Sequence, residues 1–313
     1  MKSDDILQFI RCLNEEEKRD CQFPAGTLRV NLKTLENNLL RLREHAGKAR
    51  LLLPIKANAY GHGMLAIARF TESRNLCEYF GVACLQEALR LRQAGIISPI
   101  LILGQSPIDS ATTQAIVANN IEQAISEPRL LQTLDDEAEK QNKTACIHLA
   151  IDTGMGRGGV LPEHLDELLA QIKKCEHIKL AGVMTHFSVA DETDEASLGY
   201  TRKQIDIFKK AKSKITEVFP GQKILYHAAN SGGTISQADG IFDMIRPGIA
   251  AYGYPEPDTG LGLYPVMELT AKIALIKKFP VGHDIGYGRT YATDDEQDLA
   301  IIPIGYGDGL FRG

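Results

Sequence analysis

No stretch of this 313-residue chain is apolar enough, for long enough, to cross a bilayer as a helix. The N-terminus places Asp4 and Asp5 ahead of a very short apolar run, which is not the pattern of a secretory signal. Lysine and arginine number 35 against 40 acidic residues, and no basic cluster is interleaved with aromatics, so nucleic acid is not an expected partner. The six cysteines, Cys12, Cys21, Cys77, Cys84, Cys146 and Cys175, form no CxxC spacing. That argues against a metal site and a disulfide framework and makes a reducing cytoplasm the expected compartment. A GxGxxG phosphate fingerprint is missing after the first apolar strand, which weighs against a doubly wound nucleotide-binding sheet. What is present, 44% hydrophobic and 24% charged residues, fits a soluble globular protein of one large domain, or one large and one small.

Residues 1–26 read as a charged helical extension containing LNEEEKRDCQ and ending at Pro24 and Gly26. From residue 27, short apolar runs alternate with segments of helical period. Strands are expected at 50–56, 78–84, 99–104, 121–125, 145–152, 178–187, 223–230 and 244–249. Between them, 162–175 opens on Pro162 and repeats Leu165, Leu168, Leu169 and Ile172 at the spacing of one helical face. The helix 85–94 stops at Gly95, and 198–215 aligns Ile205, Phe208, Ala211 and Ile215. Eight strand–helix units within 27–258 predict an α/β (β/α)8 TIM barrel; the segment after Asn230 carries the poorest helix signal. From Val266 onward LTAKIALIKKF, IGYGRTYAT and DLAIIPIGYG read as strands without intervening helices. Residues 259–313 therefore read as the start of a mainly β C-terminal domain, with too few strands to close a barrel or sandwich.

The segment LLLPIKANAYGHG, from Leu51 to Gly63, is the most informative. A buried strand ends on Lys56, and small, polar or glycine residues follow. A cation where a buried strand surfaces is costly unless a partner or a reaction uses it. Desolvation lowers a lysine's pKa, and the free amine can form a Schiff base; a lysine snorkelling to solvent is the plain alternative. In a parallel barrel reactive groups sit where strands end. The other strand ends supply Asp152 and Arg157 in IDTGMGRGG, His186 in THFSVAD, His227, Asn230 and Ser231 in HAANSGG, and Arg246, Gly248 and Ile249 in IRPGIAAYG. Singly, each has an ordinary structural explanation; their convergence on one barrel mouth favours a site. An aldehyde cofactor bearing a phosphate needs such a set: a lysine, hydroxyl and backbone N–H donors, and a residue facing the pyridine nitrogen. A permanently protonated arginine in that last place makes the ring a weaker electron sink than an aspartate would, which favours α-proton exchange over decarboxylation or transamination.

The motifs KANAYGHG, DTGMGR, THFSVADE, HAANS, RPGI, IGYGRTY and IPIGYGDG run in order over almost the whole chain after residue 27. In this the chain resembles the alanine racemase family, pyridoxal-phosphate enzymes of fold type III. The resemblance implies pyridoxal 5′-phosphate as cofactor, Lys56 as its covalent lysine and one base, and Tyr287 as the other base. It implies phosphate binding by Tyr60, Ser231, Gly248 and Ile249 beside Asn230, and Arg246 on the pyridine nitrogen with His186 behind it. Arg157 would support Tyr287 and the substrate carboxylate, and Tyr306 would line the entry channel. A homodimer that shares its sites between subunits is implied too, with no membrane or nucleic-acid partner, and D-alanine for peptidoglycan as the product. The family commonly has a lysine, often carbamylated, seven residues before the DTGMGR arginine; this chain has Ala150. An anion, waters or a carboxylate from elsewhere is therefore expected beside Arg157. A racemase of serine or broader range, a basic amino-acid decarboxylase of the same fold, and a non-catalytic pyridoxal-phosphate-binding barrel are the alternatives; Arg246 and THFSVADE speak against the decarboxylase, IGYGRTY against the carrier.

Overall fold

The computed structural model describes residues 25–255 and 260–311. The extension expected over 1–26 lies outside the described residues but for its last two. The described residues divide into two compact units: those within 32–266 form one, and those within 1–31 and 267–313 form the other. No helix among the described residues is long and apolar enough to cross a membrane.

Strand β1 (Gly26–Val30) belongs to the smaller unit. The larger unit holds eight parallel strands: β2 (Arg50–Pro54), β3 (Tyr79–Val82), β4 (Ile100–Ile102), β5 (Glu122–Ile125), β6 (Ala145–Ala150), β7 (Ile178–Met184), β8 (Leu225–His227) and β9 (Met244–Ile245). They pair in the order β8-β7-β6-β5-β4-β3-β2-β9. The end strands approach each other: Asp243 N–H donates to Tyr226 O at 2.8 Å and Arg246 N–H to Ala229 O at 2.9 Å. The sheet is thus a nearly closed barrel of TIM type, as the alternation of patterns predicts.

Every expected strand is found, each within its expected span and shorter than it. The apolar runs overrun the ladders because burial continues after pairing stops: Ile55, Ala228 and Ala229 are fully buried beyond the ends of β2 and β8. Continuous apolar strands such as Leu51–Leu53 are what helices on the outside and a filled interior require. The helix Leu165–Ile172, preceded by a 3-10 turn over Pro162–His164, buries Leu165, Leu168, Leu169 and Ile172, the expected stripe. Truncating one of those leucines to alanine costs about 2–5 kcal/mol. Helix Glu195–Val218 buries Ile205, Phe208, Ala211 and Ile215, with Thr201 and Gln204. The poorly signalled seventh connection contains a six-residue helix, Ser231–Ser236.

The smaller unit contains three antiparallel pairs: β1 with β10 (Met267–Ala271), β11 (Leu275–Phe279) with β14 (Gln297–Ile301), and β12 (Asp284–Ile285) with β13 (Tyr291–Ala292). Its described residues form strands and 3-10 turns, in keeping with the β pattern after Val266. Residues 27–30, counted with the barrel from the sequence, pair instead with β10.

Candidate active site

Lys56 follows the buried Ile55 and opens a tight segment, Lys56–Tyr60. The next four residues, Ala57, Asn58, Ala59 and Tyr60, have φ of 51, 54, 56 and 52°. Left-handed conformation costs a non-glycine residue roughly 1–2 kcal/mol, so the surroundings must enforce it. Glu87 does so by accepting the Ala57 N–H at 2.7 Å and the Ala83 N–H at 2.7 Å. Asn58 accepts from Gly63 N–H through its carbonyl at 2.9 Å and from Met64 N–H through Oδ1 at 2.9 Å, which starts the helix Met64–Ser73. The turn brings the tyrosine ring back under the lysine: Lys56 Nζ lies 5.9 Å from the Tyr60 ring centroid. Burial, then the charges of Arg157 and Arg246, lower the Lys56 pKa, with Glu87 opposing. The lysine is thereby shifted toward its nucleophilic, proton-accepting form.

Tyr60 Oη, Ser231 Oγ and the backbone at Gly248 converge. A Cβ on Gly248 would stand 2.5 Å from Tyr60 Oη and 3.9 Å from Ser231 Oγ, so glycine leaves a cradle that any other side chain would fill. Ser231 Oγ accepts the Ala250 N–H at 3.2 Å, which leaves its own hydrogen to donate. Burial raises the Tyr60 pKa and keeps the phenol a neutral donor. Behind it, Tyr252 packs at 5.2 Å between centroids and donates to Pro54 O at 3.0 Å. Asn230 plays a structural part here: Oδ1 accepts from Gly233 N–H at 2.9 Å and Nδ2 donates to Phe187 O at 3.1 Å. Ile249 is exposed on the same loop. Hydroxyl donors around a glycine backbone suit a phosphate, and the half-buried Lys56 suits an aldehyde, so these residues fit pyridoxal phosphate.

Arg246 is 3% exposed, and both of its Nη atoms have partners. Nη2 donates to Thr185 O at 2.6 Å and Ala228 O at 3.1 Å and lies 3.3 Å from His186 Nδ1; Nη1 donates to His227 Nδ1 at 2.8 Å. Burial first, then Arg157, pushes its pKa down to about 9, which leaves it cationic at neutral pH. His186 is pushed down to about 3 by burial and then by Arg246, Arg157 and Lys56, so it is neutral. Beyond His227 the bonds continue into the barrel, to His148 and Glu122, two residues that sequence reasoning missed. Their one sequence signal is polarity inside strands that otherwise read as buried.

The glycine-rich loop carrying Arg157 is pinned from both sides. The Asp152 carboxylate accepts the N–H groups of Gly154 at 2.9 Å and Gly156 at 3.1 Å. Tyr200, also missed from sequence, donates to Gly154 O at 2.7 Å, and a Cβ on Gly154, at φ 135°, would meet its hydroxyl at 2.5 Å. Arg157 itself is exposed, and among the described residues no carboxylate forms an ion pair with it. Ala150, where the family commonly has a lysine, packs against the apolar cluster that includes Leu52, Leu101 and Met184. The structure thus gathers Lys56, Tyr60, Arg157, His186, Asn230, Ser231, Arg246, Gly248 and Ile249 on the barrel unit. Tyr287 and Tyr306 lie on the smaller unit, in the 3-10 turns Tyr287–Arg289 and Tyr306–Asp308, and are 77% and 67% exposed.

Known proteins extend the comparison. The family model of the alanine racemase N-terminal domain matches residues 30–256, and that of the C-terminal domain matches residues 266–313. Alanine racemase of Treponema denticola is 39% identical over 289 residues, 90% of this chain and 75% of the relative. The biosynthetic alanine racemase of Escherichia coli is 35% identical over 294 residues, 92% of this chain and 77% of the relative. The solved alanine racemase of Clostridium difficile superposes with a TM-score of 0.81 at 33% identity, covering 93% of this chain and 76% of that one. The Bartonella henselae alanine racemase, described with covalently bound pyridoxal phosphate, gives 0.78 at 25% identity over 91% of this chain and 76% of that one. With both domain models matched and these identities sustained over nine-tenths of its length, the chain belongs to the alanine racemase family of isomerases.

Proposed function

We propose that the barrel mouth binds pyridoxal 5′-phosphate and that the chain interconverts L- and D-alanine with one base on each face of the α-carbon. The observation that carries this is the clustering of a half-buried lysine of lowered pKa with a buried arginine cation and the Tyr60–Ser231–Gly248 cradle. When bound, the cofactor joins covalently to an amine and withdraws electrons from the substrate α-carbon. Lys56 holds or releases a proton on one face of that carbon. Tyr287 does so on the other, presented by a second copy of the chain, which makes a homodimer the working unit. Tyr60, Ser231 and the backbone of Gly248 and Ile249 bind the phosphate, with Asn230 fixing the loop.

Arg246 has donors and no acceptor, so a pyridine nitrogen facing it accepts a hydrogen bond and stays unprotonated. That limits electron withdrawal to what α-proton exchange needs. His186 backs Arg246, Arg157 supports Tyr287 and attracts the substrate carboxylate, and Tyr306 lines the entry. The proposed setting is the cytoplasm and the proposed role the supply of D-alanine for peptidoglycan. Circular dichroism tests the activity: with pyridoxal phosphate present, solutions of L-alanine and of D-alanine should both decay to zero. A signal that persists with cofactor bound to Lys56 would leave a binding protein and overturn the catalytic reading.

A further inference from the structure

Two histidines sit inside the barrel, fully buried, where neither phosphate nor substrate binding calls for them. They link the two ends of the barrel. Glu122 is the first residue of β5, at the N-terminal end; His148 is the fourth residue of β6; His227 is the last of β8; Arg246 follows β9 at the mouth. Glu122 Oε2 lies 2.7 Å from His148 Nε2, His148 Nδ1 lies 2.8 Å from His227 Nε2, and His227 Nδ1 lies 2.8 Å from Arg246 Nη1. We propose that Glu122 is a positioning residue for the reaction, acting through His148 and His227 to hold Arg246 as a hydrogen-bond donor from the opposite end of the barrel.

The direction of the string follows from its ends. A carboxylate can only accept, so His148 Nε2 carries the hydrogen; an arginine can only donate, so His227 Nδ1 carries the lone pair. The bond between the rings then has one arrangement: His227 Nε2–H donates to His148 Nδ1. Any other pair of neutral tautomers sets acceptor against acceptor at Glu122, donor against donor at Arg246, or like against like between the rings. A doubly protonated His227 is disfavoured by burial and by the charge of Arg246. With both ends fixed, the buried string is fully satisfied, the condition under which a polar network rigidifies its members.

The neighbouring strands make room for it. Between β6 and β7 the register shifts, so that Ile147 faces Leu180 and His148 faces Gly182. A Cβ on Gly182 would lie 2.3 Å from His148 Nδ1, so the imidazole occupies the space that any other residue there would need. A strand glycine at an irregular register is the expected mark of such a close approach. The Tyr79 ring closes the other side, edge-on at 6.1 Å.

The role assigned to Arg246 rests on the proposed function; the polarity of the string does not. Nitrogen-15 NMR of histidine-labelled full-length protein without added cofactor tests the string, with resonances assigned from His148→Asn and His227→Asn. His148 and His227 should each show a protonated Nε2 and a bare Nδ1. Glu122→Leu should shift the His227 nitrogens although Glu122 does not touch that ring, and Glu122→Gln, which can still accept, should restore them. A wild-type Nδ1–H on either ring, or His227 unmoved in Glu122→Leu, overturns the string whatever the activity. In protein loaded with pyridoxal phosphate, Glu122→Leu should lower kcat for alanine and leave KM unchanged, with Glu122→Gln recovering the rate. An unchanged kcat beside shifted nitrogens would overturn the positioning role while leaving the racemase reading intact.

Discussion

Tyr60 and Gly248 compete for one space: a Cβ on the glycine would stand 2.5 Å from the tyrosine hydroxyl. The hydroxyl is the far end of a side chain whose ring is backed by Tyr252, so it can yield only by leaving the cradle. Gly248→Ala should therefore act like Tyr60→Phe, which deletes the same donor. Losing one hydrogen bond to a charged group costs about 1.5–3 kcal/mol, roughly a 10- to 150-fold rise in the dissociation constant of pyridoxal phosphate. Because Tyr60→Phe removes the atom in the way, the double variant should be no weaker than Gly248→Ala alone. Fluorescence or absorbance titration measures all three; strictly additive losses would show that the two positions act independently.

Lys56 should be the residue that carries the cofactor. Its amine is favoured by burial and by the positive charge of Arg157 and Arg246, and the left-handed turn holds it against Tyr60. Borohydride treatment of the protein with pyridoxal phosphate, followed by peptide mass spectrometry, should place the added mass on Lys56. Mass on another lysine would refute the assignment.

The barrel was legible because parallel strands buried on both faces write themselves as unbroken apolar runs. Their ends were less so, since Ile55, Ala228 and Ala229 stay buried after leaving the ladder. Candidate site residues that follow strands, such as Lys56 and Arg246, could be picked out by position, while the roles expected of them came from their convergence on one mouth and from the family resemblance. Glu122 and His148 could not: their meaning lies in partners 26 and 79 residues away, across the barrel interior. The left-handed turn was also invisible, because alanine and tyrosine do not prefer positive φ and are held there by Glu87 and Asn58. The pairing of residues 26–30 with β10 depends on a partner more than 200 residues distant, which no local pattern marks.

Acid should destabilise the barrel earlier than carboxylate titration alone would. His186 is held down to about 3 and His227 well below the ordinary value of 6.5. In the unfolded chain both protonate near 6.5, so below that pH the unfolded state binds more protons and stability falls with pH. The contribution is complete above about pH 6.5 and is lost progressively toward pH 3, at up to about 1.4 kcal/mol per pH unit for each histidine. Urea unfolding between about pH 5 and 6.5, where ordinary carboxylates stay ionised, isolates this effect. His186→Gln should flatten the slope; an unaltered slope would show that His186 is protonated in the fold.

Loss of either base should be directional. If Lys56 and Tyr287 serve opposite faces of the α-carbon, Tyr287→Phe leaves the Lys56 proton in place. Exchange of the D-alanine α-proton with solvent deuterium should then continue, while abstraction from L-alanine falls by about 10²–10⁴, the usual loss on removing a general base. Lys56 sits on the barrel unit and Tyr287, largely exposed, on the β unit of the same chain. In a homodimer that shares its sites, a Lys56→Ala chain paired with a Tyr287→Phe chain creates one site with both bases and one with neither. Mixing the two inactive proteins should restore activity up to about half per heterodimer, since one of two sites is complete. Mass spectrometry of the intact complex verifies the heterodimers before assay. Verified heterodimers without recovery, or exchange lost equally for both enantiomers, would rule out a two-base site built from two subunits.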